Sequence, residues 1–177
     1  MYLIIFSVFI VGLLTKLADV MTEDGLKPKW FLSYPVGVLY GILGTYILLA
    51  DAILAPIVLA TVAAVLITRK IDSKPHSFAI ATMFLLLAVW GFPSVNLALL
   101  AIFFAVEVIG EIGNDLADKE KMDGWVKRFF SLRLLSDATA FLVSLLTGQW
   151  IIFIGMICFT IGYGIIEVSE KRISGWF

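Results

Sequence analysis

Seven apolar segments, near residues 2–18, 32–50, 53–68, 77–92, 95–113, 132–147 and 150–167, fill most of this chain and decide its fold class. Several lie near the short end of the roughly 17–25 residues that a spanning helix needs. None alternates apolar and polar residues in the manner of a membrane strand, so helices are expected throughout. A water-soluble domain of 177 residues, 61% of them hydrophobic and 15% charged, could not hide so much apolar surface. The chain therefore reads as an all-α integral membrane protein, with the lipid bilayer as its solvent and one membrane domain over residues 1–177. The first segment has no basic stretch before it and no clear small-residue cleavage site, so it reads as a retained helix rather than a signal peptide. Cys158, the one cysteine, lies in an apolar run, which excludes a disulfide framework or a thiolate metal site within one chain. No nucleic-acid partner is expected.

The connections between segments alternate in character. Residues 19–29, 69–76 and 114–128 and the C-terminal tail are charged. The turns near Asp51, near Gly91-Phe92-Pro93-Ser94 and at Thr147-Gly148-Gln149 are nearly uncharged. Seven crossings gather all 13 Lys and Arg on one side and leave Asp51 on the other. The positive-inside rule makes the charged side cytoplasmic, with the N-terminus outside and the C-terminus inside.

Two of the charged stretches are copies of each other. Residues 17–31, LADVMTEDGLKPKWF, align without a gap to residues 116–130, LADKEKMDGWVKRFF, at an offset of 99 residues. Six of the fifteen positions are identical, where chance gives roughly one. Each copy lies between the first and second helices of a helix, charged loop, helix, helix unit. The expected architecture is two parallel three-helix repeats, helices 1–3 within about residues 1–72 and helices 5–7 within about 95–172, joined by helix 4 at about 77–92. An odd number of helices per unit plus a linking helix keeps the units parallel, about an axis along the membrane normal. Both Asp-bearing loops then face the cytoplasm.

The acids of these loops are the candidate chemistry. Glu107, Glu111, Asp115 and Asp118 are spaced by four, four and three, which puts them on one helix face. Glu107 and Glu111 fall inside helix 5, where an ionisable group faces a bundle interior or a wet cavity. Each copy also contains Asp-x4-Asp-Gly, and two acids five apart cannot share a helical face. The helix is expected to end between them, with Gly25 and Gly124 turning the chain. Acids beside bases suit a metal-bridged phosphate. Asp19, Asp24, Asp115, Asp118 and Asp123 are candidate Mg2+ ligands. Asn114, Lys27, Lys29, Lys127, Arg128 and Arg133 are candidate contacts to the phosphate-bearing substrate. Asp115, Asp118, Asp19 and Glu111 are the candidate catalytic acids. Asp137 reads either as an i,i+4 partner of Arg133 or as a lining carboxylate. His76, the only histidine, reads as an interfacial loop residue, and Asp51 as a turn or cap. Gly37, Gly41, Gly44, Gly155, Gly162 and Gly164 read as sites of close helix packing.

Asn114-Asp115-Leu116-Ala117-Asp118, with Asp123 beyond it, resembles the Asn-Asp-x-x-Asp motif of the UbiA-type intramembrane prenyltransferases, and Asp19 and Asp24 would stand for that family's second Asp motif. Lys27-Pro28 and Lys74-Pro75 resemble the basic Lys-Pro stretch that follows the motif. The order differs, since the Asn-Asp copy stands here in the second half. The resemblance implies an enzyme that binds a prenyl diphosphate or a related lipid phosphate through Mg2+ and passes an allylic cation to an acceptor. Two other classes fit the same chain. One is a small carrier or channel for a cation or proton-coupled solute, since parallel three-helix repeats with a linking helix are the architecture of sugar carriers of the SWEET type. Glu107, Glu111 and Asp137 would then line the path. The other is a non-catalytic membrane subunit. Depth discriminates: an enzyme gathers its acids at the cytoplasmic mouth, and a carrier needs polar groups through the midplane, of which helices 2, 3, 4 and 7 show almost none.

Overall fold

The computed structural model describes residues 1–22, 33–68, 73–131 and 134–174, apart from the side chains of residues 118, 131 and 170–174. Every regular element among the described residues is a helix: α1 (Tyr2–Thr22), α2 (Ser33–Ala50), α3 (Ala55–Ile67), α4 (Lys74–Trp90), α5 (Leu97–Asp118), α6 (Gly124–Ser131), α7 (Leu134–Thr147) and α8 (Ile151–Ser174). Four of them, α1, α2, α5 and α8, are long and apolar enough to cross a membrane. A fifth span is added if α6 and α7, which meet at 71°, are taken as one bent pair. The helices α3, of 13 residues, and α4, of 17, are apolar but shorter.

Each of the seven apolar segments holds a helix, and α1, α5 and α8 run further than hydropathy suggests. The helix α1 continues to Thr22 because Ala18 and Val20 bury its last turns, and α5 continues to Asp118 on the fully buried Ala117. The stretch 114–128, expected as a loop, therefore divides into the end of α5, a turn and the start of α6. The turn has the expected form: α5 stops between the two acids of the motif, and Gly124 takes φ +62° just beyond the second.

Local chemistry fixes the other ends. The Asp51 carboxylate accepts from the backbone N–H groups of Ile53 and Leu54 at 2.9 and 3.0 Å, closing the turn between α2 and α3. Pro56 and Pro75 occupy the first turns of α3 and α4, where a missing N–H costs nothing. The Asn96 side chain caps α5 by accepting from Ala98 and Leu99.

The most extensive helix contacts are α1 with α8, α2 with α4, α3 with α5 and α1 with α2; α2–α3, α7–α8 and α5–α7 also touch. Glycine sets the closest two. A Cβ added at Gly12 would overlap the Phe159 carbonyl oxygen, and one at Gly162 would overlap that of Phe9, so α1 and α8 meet backbone to backbone. Gly37 and Gly41 meet the carbonyls of Pro75 and Ala79 in the same way. The contacts of Gly37 with Pro75 and of Gly41 with Ala79 advance together along the two helices, so α2 and α4 are parallel. Gly155 touches only the Leu54 side chain, and an added Cβ at Gly164 meets nothing within 4 Å.

The main apolar cluster, including Ile4, Ile47, Ile57, Phe103, Val143 and Ile152, joins α1, α2, α3, α5, α7 and α8 toward the end that carries the Asp51 turn. The opposite end carries Lys16, Lys74, Lys119, Lys121, Lys127 and Arg128. The buried polar side chains of interest lie between that end and the apolar cluster.

Candidate functional site

Two polar clusters occupy this zone, one beside each copy of the duplicated stretch. The first is built on Asp19, in the last turns of α1. One carboxylate oxygen accepts from His76 Nε2 at 2.7 Å and the other from the Tyr163 hydroxyl at 3.1 Å. His76 Nδ1 faces the Tyr40 hydroxyl at 2.5 Å. A carboxylate can only accept, so Asp19 fixes the His76 proton on Nε2. In the neutral imidazole Nδ1 then accepts from Tyr40. The side chains of His76 and Asp19 are each only 15% exposed. Lys16 Nζ lies 5.6 Å from the centre of the Tyr163 ring, a cation over an aromatic face.

The close pairs assemble this cluster. Tyr40 stands between Gly37 and Gly41 on α2, and the contact of those glycines with Pro75 and Ala79 sets it against His76. The contact of α1 with α8 at Gly12 and Gly162 sets Asp19 against Tyr163. Four helices are thus tied through Asp19 and His76, and the histidine is no loop residue: it lies in the first turn of α4. Tyr40 and Tyr163 were not among the candidates from sequence. The signal that points to them is the Gly-x3-Gly spacing on α2 and the Gly-Tyr-Gly on α8, which mark where helices approach.

The second cluster is acidic. Glu107 and Glu111 are 7% and 4% exposed, on successive turns of α5, facing inward as their spacing suggests. Together with Gly110, Phe130, Leu135 and Ser136 they line a cavity of about 10 Å³, room for a single water. Ser136 and Asp137, at the start of α7, are buried as well. The Thr160 hydroxyl of α8 lies 3.1 Å from each Asp137 carboxylate oxygen. Asp137 is thus buried and held from α8 but is not part of the cavity wall, and Arg133, its expected i,i+4 partner, lies outside the described residues.

The remaining sequence candidates are dispersed. Asp115 continues the face of Glu107 and Glu111 but is half exposed and pairs with Lys119, one turn on, at 2.5 Å. Asn114 is partly buried, Lys127 is partly buried on α6, and Asp123 and Arg128 are exposed. Asp24, Lys27, Lys29, Arg133 and the side chain of Asp118 lie outside the described residues. Among the described residues no three of His, Cys, Asp or Glu converge as a metal-ligand set. Asp19 faces hydrogen-bond donors rather than other acids. No protein-family model, no curated protein and no solved structure matches this chain.

Proposed function

We propose that this chain is a small membrane carrier that couples a cation or a solute to protons through carboxylates held inside its second half. The observation that carries the reading is the buried pair Glu107 and Glu111 on a cavity, with Asp137 buried on the adjoining helix. Glu107 is ten residues into a helix of 22, about 15 Å from its start and so near mid-depth. A charge at such depth is costly and is retained where it meets an ion, a proton or a polar partner. The Asp137–Thr160 contact extends the polar path to α8, at similar depth.

The reading includes seven crossings in two parallel units. The helix pairings support it. At the 99-residue offset α1, α2 and α3 match α5, α7 and α8. The contacts α1–α2, α2–α3 and α1–α8 then match α5–α7, α7–α8 and α5–α3, and all six occur. The helix α3 reaches only about 20 Å, but with α5 packed along it and Ala60 and Ala64 fully buried, it need not match the bilayer alone. The charged end is then cytoplasmic.

The test is flux. Purified protein in liposomes, with a pH-sensitive dye inside, is given inward gradients of Na+ or K+. Proton movement dependent on protein is expected, falling by about tenfold or more in Glu107→Gln and Glu111→Gln, as for loss of a group used at the rate-limiting step. Absence of flux with every gradient, or full flux in the double variant, removes the reading. The duplicated Asp-x4-Asp-Gly with its following bases supports a second reading, Mg2+-dependent binding of a prenyl diphosphate. Its test is retention of that ligand with and without Mg2+, in the native protein and in Asp118→Asn.

A further inference from the structure

The cavity on Glu107 and Glu111 is narrow, and a side chain carried by the surface helix α6 forms part of its wall. Phe130 belongs to α6, an eight-residue helix at the charged end that packs on α5. Its ring lies directly on Gly113 of α5, where an added Cβ would overlap three ring carbons. The same ring forms part of the cavity wall beside Gly110 and both glutamates. The absence of a side chain at Gly113 is therefore what seats Phe130 over the acids.

The ring is also connected outward. Phe130 meets Phe129 edge to face at 5.6 Å, and Phe129 meets Trp125 in the same way at 6.3 Å. Trp125 is 75% exposed, and Arg128 is exposed on the same short helix. A helix with an exposed Trp, two adjacent bases and an angle of 71° to α7 fits the membrane surface, lying near its plane. About 10 Å³ admits one water and no hydrated cation, so an ion can reach Glu111 only after a wall residue moves. Leu135 and Ser136 are fixed to α7 inside the bundle. Phe130 is the wall residue carried by a surface helix.

We propose that Phe130, seated on Gly113, is the access residue of the carboxylate cavity: it seals Glu107 and Glu111 from the charged end, and movement of α6 at the membrane surface opens them. The proposal rests on the carrier reading for its purpose but not for its test.

The test is thiol accessibility. In a Cys158→Ser background, Glu111→Cys is exposed to a charged, membrane-impermeant methanethiosulfonate added from the charged-end side of oriented vesicles. Modification is expected to be slow with Phe130 in place and about tenfold or more faster with Phe130→Ala, because local opening governs access to a buried group. Gly113→Ala should speed it as well, by unseating the ring, and Phe130→Leu should give an intermediate rate if Phe130→Ala does not fold. Equal rates across Phe130, Leu and Ala, or faster modification from the opposite side, overturn the seal. Accessibility that follows Phe130 while the liposomes show no flux keeps the seal and removes the carrier. Flux with rates indifferent to Phe130 does the reverse.

Discussion

The helices that lead into the two copies of the duplicated stretch have been put to opposite uses. At matched positions α1 carries Val8, Gly12, Lys16 and Asp19 where α5 carries Glu107, Glu111, Asp115 and Asp118. Gly12 brings the backbone of α1 onto that of α8, leaving no volume between them. Glu111 keeps a carboxylate, and a cavity lies beside it. The acid of the first copy, Asp19, is saturated by His76 and Tyr163. Asp115 of the second is half exposed and pairs with Lys119 at the surface. A seam between helices can be a backbone contact or a polar site, but one stretch of helix cannot be both. A carboxylate needs space and partners, and a glycine seam removes the space. The first half has taken rigidity and the second the acids.

The largest effect that tests this contrast is at positions 12 and 111. Gly12→Leu places a whole side chain where even a Cβ overlaps the Phe159 carbonyl. Overpacking of this kind costs about 1–3 kcal/mol, and more where backbone must move. Glu111→Leu instead exchanges a buried acid beside a cavity for an apolar side chain of similar size, with no backbone to displace. Thermal unfolding in detergent should show a large drop in Tm for the first and a smaller one for the second. Equal drops would mean that the two seams are packed alike.

The sequence made much of this legible, for a physical reason: hydropathy reads the solvent, and the solvent decides which segments are helical. That Glu107 and Glu111 share a face followed from their spacing, that the face is inward from the cost of a charge in lipid, and the break after Asp118 from helical geometry. Two things were hidden. The helix α6 is amphipathic over only eight residues inside a charged stretch, too short to show a period. The role of His76 depends on Asp19, Tyr40 and Tyr163, which lie on three other helices and so are distant in sequence. No local pattern encodes a contact between helices. Only the Gly-x3-Gly spacing hinted at where such contacts fall.

An intermediate effect separates two aspartates at the charged end, Asp19 and Asp115. Asp19→Ala leaves His76 Nε2 and the Tyr163 hydroxyl without their acceptor in a half-buried site, at about 1–3 kcal/mol. Asp115→Ala breaks a surface pair one turn apart, with an effect within about 0.5 kcal/mol. The Asp19→Ala and His76→Ala changes should also be non-additive by about 0.5–3 kcal/mol, as expected of groups in one network. Additive losses in a double-mutant cycle would show that the first copy's acid is not held by the linking helix.

The smallest effect concerns two threonines at matched positions, Thr61 on α3 and Thr160 on α8. Each stands one turn or more into its helix, and each hydroxyl has a different acceptor. Thr61 donates to the Ile57 carbonyl of its own helix at 3.1 Å. Thr160 donates across to Asp137, where the first half has Val38 at the matched place. A hydroxyl turned onto its own helix adds little, because that carbonyl is already bonded along the backbone. A hydrogen bond between helices in a membrane is worth about 0.6 kcal/mol and at most about 1.7. Thr61→Val should therefore leave Tm unchanged, and Thr160→Val should lower it slightly. The loss at Thr160 should vanish when Asp137 is already Val, since the acceptor is then gone. If Thr160→Val costs no more than Thr61→Val, Asp137 is not held by α8, and the acids of the second half rest on α5 and α7 alone.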